Sequence, residues 1–146
     1  MAERTAAVTW NGSLLEGGGK IDSVGSGAFG PLDVTWASRA EDESGGRTSP
    51  EELIAAAHAA CFSMALSHGL AQAGSPADEL KTTATVTFVP GTGITKIVLH
   101  VRGEVPGMDE AAFRAAAETA KEGCPVSKAL AGVPEIVLDT RASIRT

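Results

Sequence analysis

The spacing of apolar residues changes character along this chain. In the first third, short apolar runs are cut by glycine. Ala6 to Trp10 predicts a strand ending at an Asn11-Gly12 turn. Gly17-Gly18-Gly19 predicts a flexible turn, Lys20 to Val24 a return strand, and residues 25–30 a loop. Leu32, Val34 and Trp36 alternate with polar or small residues, which predicts a third strand from Leu32 to Ser38. An acidic, glycine-containing loop spans Ala40 to Arg47.

The period then becomes helical. Ser49 is suited to an N-cap, Pro50 to the first helical position, and Glu52 to the third residue of a capping box. Glu51 and Glu52 complement the positive end of the helix dipole. The predicted helix runs from Pro50 to about Gln72, with Gly74 and Pro76 as stop signals. From Leu53 to Leu66 it is apolar nearly all round, which predicts burial on most sides.

Period-two alternation returns from Leu80 to Val89, where Thr83, Thr85 and Thr87 oppose Ala84, Val86 and Phe88. Pro90-Gly91-Thr92-Gly93 predicts a turn into a partner strand, Ile94 to Val105. Asp109 caps a helix from Glu110 to Glu122 that stops at Gly123. Cys124 and Pro125 open a short helix to about Leu130, and Glu135 to Ala142 forms a last strand. Strands, a long helix, strands, helices and a strand make an α+β fold. The length of 146 residues predicts one domain, 1–146.

Composition narrows the partners. The net charge of −6 argues against a nucleic-acid backbone, and four Phe, two Trp and no Tyr offer little base stacking. No apolar run is expected to reach the roughly 18–20 uncharged residues that span a bilayer, so no membrane partner is expected. The opening Met1-Ala2-Glu3-Arg4-Thr5 has no apolar segment of the signal-peptide kind. The expected location is a reducing cytoplasm, where a cysteine pair is more often catalytic, redox-active or metal-binding than a permanent staple.

The chain has two cysteines. Cys124 stands at a predicted N-cap, where free amides stabilise a thiolate, and residue chemistry alone names it the nucleophile. Its plain alternative is a small buried residue at a tight corner. Cys61 lies mid-helix, where apolar burial raises a thiol's pKa unless a cation reaches it. His58 is one turn away, as a packed histidine or a proton-transfer group. Arg39 and Arg47 precede the helix, and a guanidinium stays charged in apolar surroundings. His58, Cys61 and Cys124 match no paired zinc spacing, so neither metal nor cofactor is expected. Gly17-Gly18-Gly19-Lys20 lacks the spacing of a phosphate loop.

Two segments resemble the OsmC/Ohr family, and its OsmC arm more closely. They are Ser49-Pro50-Glu51-Glu52-Leu53-Ile54-Ala55-Ala56-Ala57-His58-Ala59-Ala60-Cys61-Phe62-Ser63-Met64-Ala65-Leu66-Ser67 and Gly123-Cys124-Pro125-Val126-Ser127-Lys128. Ile94-Thr95-Lys96-Ile97 and Val105-Pro106-Gly107-Met108-Asp109 add to the likeness. The resemblance implies an intertwined homodimer, with β-sheets packed around long buried central helices. It implies a thiol peroxidase for organic hydroperoxides, with Cys61 peroxidatic and Cys124 resolving, which reverses the assignment from residues alone. It maps the family's arginine onto Arg39, with Arg47 as the substitute, and its glutamate onto Glu51. The implied reductant is a dithiol such as a lipoylated protein. Glu51 and Cys61 are ten positions apart, or about 15 Å along a helix, so a Glu51 serving Cys61 would come from a partner chain. An apolar pocket near Phe62, Met64 and Met108 would favour alkyl peroxides. The rival readings are a redox-sensing or ligand-binding protein without turnover, a zinc module, and a Cys61–His58 hydrolase.

Overall fold

The computed structural model describes residues 1–143. The chain forms two compact units, one from Met1 to Leu53 and one beginning at Ile54.

The first unit carries an antiparallel sheet in the order β1–β2–β3, from β1 (Ala6–Asn11), β2 (Gly18–Val24) and β3 (Leu32–Val34). The expected glycine turn lies earlier than Gly17-Gly18-Gly19, since Gly18 and Gly19 pair with β1 inside β2. Gly19 is required there because a Cβ would stand 2.5 Å from Trp10 Cε3. The third strand is shorter than its alternation predicted. Thr35 Oγ1 accepts from the Ser38 amide at 3.0 Å, and Ser38 Oγ accepts from the Thr35 amide at 3.0 Å. This reciprocal cap turns residues 36–40 into helix α1 (Trp36–Ala40). The Ser38 hydroxyl also reaches the Thr48 carbonyl at 2.8 Å. That bond closes the 41–47 loop and brings the end of α1 to the start of the next helix.

That helix, α2 (Pro50–Gln72), has the predicted bounds. Ser49 Oγ accepts from the Glu52 amide at 3.1 Å. The other half of the expected capping box is replaced, as the Glu52 carboxylate takes the Thr48 hydroxyl at 2.9 Å. The helix ends in a Schellman motif: Gly74 has φ +86°, Ser75 N donates to Leu70 O, and Gly74 N donates to Ala71 O.

The second unit carries β4 (Glu79–Val89), β5 (Gly93–Glu104), α3 (Glu110–Gly123), α4 (Pro125–Ala129) and β6 (Glu135–Ser143). β4 and β5 form the expected hairpin, and β6 returns parallel to β5, so β5 is central. The parallel pairing follows from the helical crossover between them. Ile97, Leu99, Val101 and Gly103 of β5 face inward and are buried. Leu99 and Val101 join Phe62, Leu66 and Leu70 of α2, Phe113, Ala117 and Ala120 of α3, Leu138 and Cys124 in one core. Each large side chain buried there contributes about 1.5–3 kcal/mol. Asp109 Oδ1 accepts from the Ala112 amide at 2.8 Å, so α3 begins where predicted.

The face of α2 differs from expectation. His58, Phe62, Leu66 and Leu70 form a single buried stripe at four-residue spacing. Ala56, Ala57, Ala60 and Met64 are exposed, Met64 at 72%. Within one chain the helix is therefore not buried on most sides. By length and composition α2 would also suffice to cross a bilayer, with a mean hydropathy of 1.4, contrary to the sequence expectation. The small and hydroxylated residues that break the apolar run carry no charge, which is why the run still qualifies. Its buried stripe is the core of the second unit.

Candidate active site

Each unit holds one pair of the residues singled out in the sequence. In the first unit, Arg39 Nε donates to Glu51 Oε1 at 2.6 Å and Oε2 at 3.2 Å. Arg39 lies in the last turn of α1 and Glu51 in the first turn of α2, each at the helix end that suits its charge. The Glu51 side chain is 7% exposed and that of Arg39 34%. The guanidinium is thus held by a carboxylate already out of water, while its own side chain stays partly exposed. Arg47, the alternative arginine, lies on the open side of the first sheet with Lys20, Asp22 and Asp33.

In the second unit, Cys61 and Cys124 are free thiols close enough for each to affect the other's ionisation. Cys124 is fully buried, whereas Cys61 is half-buried against the same core. The two thiols are shifted in opposite directions. Burial pushes the Cys61 thiol up, its bond to Cys124 pushes it further, and the Val126 amide only partly offsets this. Burial also raises Cys124, but the Cys61 thiol, the Ser127 amide and hydroxyl, and the Val126 amide together bring it below the usual thiol value. The Cys124 sulfur makes no side-chain cap bond of strict geometry to α4, so these amides act as nearby dipoles more than as a formed cap.

His58 is fully buried and does not bond Cys61. Its Nε2 lies 2.7 Å from Ser127 Oγ, across 69 positions of sequence. Its Nδ1 has no hydrogen-bond partner among the described residues, and burial pulls the imidazole below its ordinary value. The hydrogen bond that a Cys61–His58 hydrolase dyad would need is thus not formed at either ring nitrogen. Ser127 was not identified as a site residue in the sequence, although its i+3 spacing from Cys124 places both on one face of α4. The expected apolar pocket is not built as envisaged. Phe62 is closed into the core, Met108 packs against that core, and Met64 lines an open cleft of about 590 Å³ with Ser67, His68 and Leu80. No group of three or more His, Cys, Asp or Glu among the described residues is arranged to hold a metal.

A sequence model of the family described as OsmC-like protein matches residues 42–139. The chain is similar to Peroxiredoxin OsmC of Escherichia coli, at 44% identity over 133 residues, covering 89% of this chain and 90% of that protein. An organic hydroperoxide resistance protein of Xanthomonas axonopodis pv. citri is 36% identical over 100 residues, covering 64% of this chain and 67% of that one. The crystal structure of OhrB, the organic hydroperoxide resistance protein of Bacillus subtilis, has a similar fold. It aligns with TM-score 0.61 at 24% identity over 95% of this chain and 98% of that one. Both cysteines and the helix that carries Cys61 fall within the matched segment, and the chain belongs to the OsmC family.

Proposed function

We propose that this protein is a thiol-dependent peroxidase that reduces organic hydroperoxides to alcohols, with Cys61 peroxidatic and Cys124 resolving. The observation that carries the reading is the juxtaposition of two free thiols, one half-buried and one enclosed. The names of the relatives, a peroxiredoxin and organic hydroperoxide resistance proteins, support the same reaction class.

The Cys61 thiolate attacks the terminal peroxide oxygen. The O–O bond breaks, an alkoxide leaves and takes a proton to become the alcohol, and Cys61 becomes a sulfenic acid. The Cys124 thiolate then attacks the Cys61 sulfur. An S–S bond forms, the S–O bond breaks, and hydroxide leaves as water after protonation. A dithiol reductant, such as a lipoylated protein, restores both thiols and is itself oxidised to a disulfide.

Attack requires Cys61 to ionise, and a cation beside it would favour the thiolate. The Arg39–Glu51 pair of a second copy is the proposed source, with Arg47 as the substitute. The exposed Ala56, Ala57, Ala60 and Met64 of α2, and the exposed Val8, Leu14, Leu15 and Phe29 of the first unit, support burial in such a homodimer. Cytoplasmic location fits a pair of free thiols that must cycle. A second reading, a redox sensor that forms the same disulfide without turnover, is favoured by the raised Cys61 thiol.

Stopped-flow turnover with cumene hydroperoxide and hydrogen peroxide, using a dithiol reductant, tests the proposal. Rapid turnover with the organic peroxide that is lost in Cys61→Ser supports it. Full steady-state activity in Cys61→Ser would reject it, and disulfide formation without turnover would favour the sensor.

A further inference from the structure

One polar residue stands in an otherwise apolar row. In the buried stripe His58, Phe62, Leu66 and Leu70 of α2, the first side chain is an imidazole and the other three are apolar. Its Nε2 lies 2.7 Å from Ser127 Oγ of α4, and its Nδ1 has no hydrogen-bond partner among the described residues. An apolar residue there would leave no ring nitrogen unpaired, so the histidine costs the core some stability. A buried polar pair of this kind fixes register at such a cost.

α4 shows what there is to fix. It has five residues, too few to hold a helix together in water. Pro125, Lys128 and Ala129 are exposed, Val126 is half-buried against the core, and Ser127 is buried. Its N-cap, Cys124, makes no side-chain cap bond. The apolar contact of Val126 has no preferred direction. The His58–Ser127 bond does have one, and it ties α4 to α2 across 69 positions of sequence. The bond also lies beside both thiols. Cys61 follows His58 by three residues on α2, and Cys124 precedes Ser127 by three at the start of α4. Each interval is one turn, about 4.5 Å along the axis. A slide of α4 along α2 would therefore break the bond and carry Cys124 away from Cys61 in the same movement.

We propose that His58 and Ser127 are positioning residues, whose buried hydrogen bond docks α4 on α2 and holds Cys124 within reach of Cys61 for disulfide formation. The inference rests on the peroxidase reading for its place in the cycle, the step in which Cys124 attacks the Cys61 sulfenic acid. There the S–S bond forms, the S–O bond breaks, and the oxygen leaves as hydroxide that is protonated to water. The same positioning governs any other oxidation that joins the two sulfurs.

The test uses full-length protein and no peroxide. Reduced protein is equilibrated in glutathione buffers, where one oxidised glutathione takes two electrons and two protons from Cys61 and Cys124 and leaves as two reduced molecules. Acid-quenched samples are read by mass spectrometry for the intramolecular disulfide, and the reduced proteins are unfolded in urea. The parent is compared with Ser127→Ala, His58→Gln and the double variant His58→Leu/Ser127→Ala. Losing the anchoring bond should lower the disulfide's equilibrium constant about tenfold in Ser127→Ala and in the double variant. His58→Gln keeps a side-chain N–H for Ser127 and should stay near the parent. The double variant leaves neither partner unpaired, so its reduced form should unfold at the parent's urea midpoint or above it. A disulfide constant at the parent value in Ser127→Ala and the double variant would overturn the proposal. An equal fall in His58→Gln, or a reduced double variant destabilised by the same factor as its disulfide, would overturn it too and assign both residues to packing. Glutathione replaces the peroxide throughout, so this result stands whether or not the protein turns peroxide over, and the two failures are distinguishable.

Discussion

In the core, a contact with no room for a single added atom lies between Gly103 of β5 and Phe113 of α3. A Cβ at Gly103 would stand 2.5 Å from Phe113 Cζ and 3.1 Å from Leu80 Cδ2, with Phe113 Cε2 closer still. Ordinary carbon contact is about 3.5–4.0 Å, so the ring must move by roughly 1 Å. Phe113 is fully buried among core residues and has no open side into which to move. Gly103→Ala should therefore cost near the top of the overpacking range, about 3 kcal/mol. For a chain of this size that corresponds to a fall in Tm of roughly 6–12 °C. Because α3 leads from Phe113 to its C-cap at Cys124, tilting it should also loosen the thiol pair. Urea and thermal unfolding of Gly103→Ala, Phe113→Leu and the double variant provide the assay. The double variant should recover at least about 1 kcal/mol relative to the sum of the singles. A Gly103→Ala protein with the parent's midpoint, or strict additivity in the double, would refute this packing argument.

Other outcomes follow from single contacts. Glu51→Gln leaves Arg39 without its carboxylate, and should lower stability by about 1 kcal/mol, the partly exposed guanidinium being screened by solvent, while reducing kcat/KM for the organic peroxide. Equal kcat/KM would remove Glu51 from the mechanism. His58 is held neutral below its ordinary value of 6.5. Its contribution is fully present above pH 6.5 and is lost as pH falls towards the folded value, because only the unfolded chain takes up the proton. Urea midpoints of the parent should thus drop more steeply below pH 6.5 than those of His58→Gln, and parallel profiles would contradict this. Asp109→Ala removes the α3 cap and should cost about 1 kcal/mol in urea unfolding, with no change in thiol titration.

Local chemistry made much of this fold legible in the sequence. Ser49, Gly74, Asp109 and Pro125 act within a few residues of themselves, and α2, α3 and α4 begin and end close to where these residues predict. The alternation of β4 survives as alternating burial for the same reason. Thr35 and Ser38 were missed because Leu32, Val34 and Trp36 carry a strand's period across a reciprocal cap that stops it. The bare outer face of α2 could not be read, since an alanine-rich helix looks alike from every side until its neighbours are known. At the site, the sequence singled out Arg39, Glu51, Cys61 and Cys124, and the structure brings them together as two pairs. Ser127 escaped notice because its partner His58 lies 69 positions away. Residue chemistry named Cys124 the nucleophile, whereas family resemblance placed the first oxidation on Cys61. The two readings differ in which sulfur must be ionised when the peroxide arrives.

The most direct measurement is therefore the order of sulfur oxidation. Protein treated with one equivalent of cumene hydroperoxide, quenched with dimedone and digested, is read by peptide mass spectrometry alongside Cys124→Ser and Cys61→Ser. The account predicts a Cys61–Cys124 disulfide in the parent, a dimedone adduct on Cys61 in Cys124→Ser, and slow, non-selective oxidation in Cys61→Ser. A rapid dimedone adduct on Cys124 in Cys61→Ser, with Cys61 left reduced in Cys124→Ser, would contradict it.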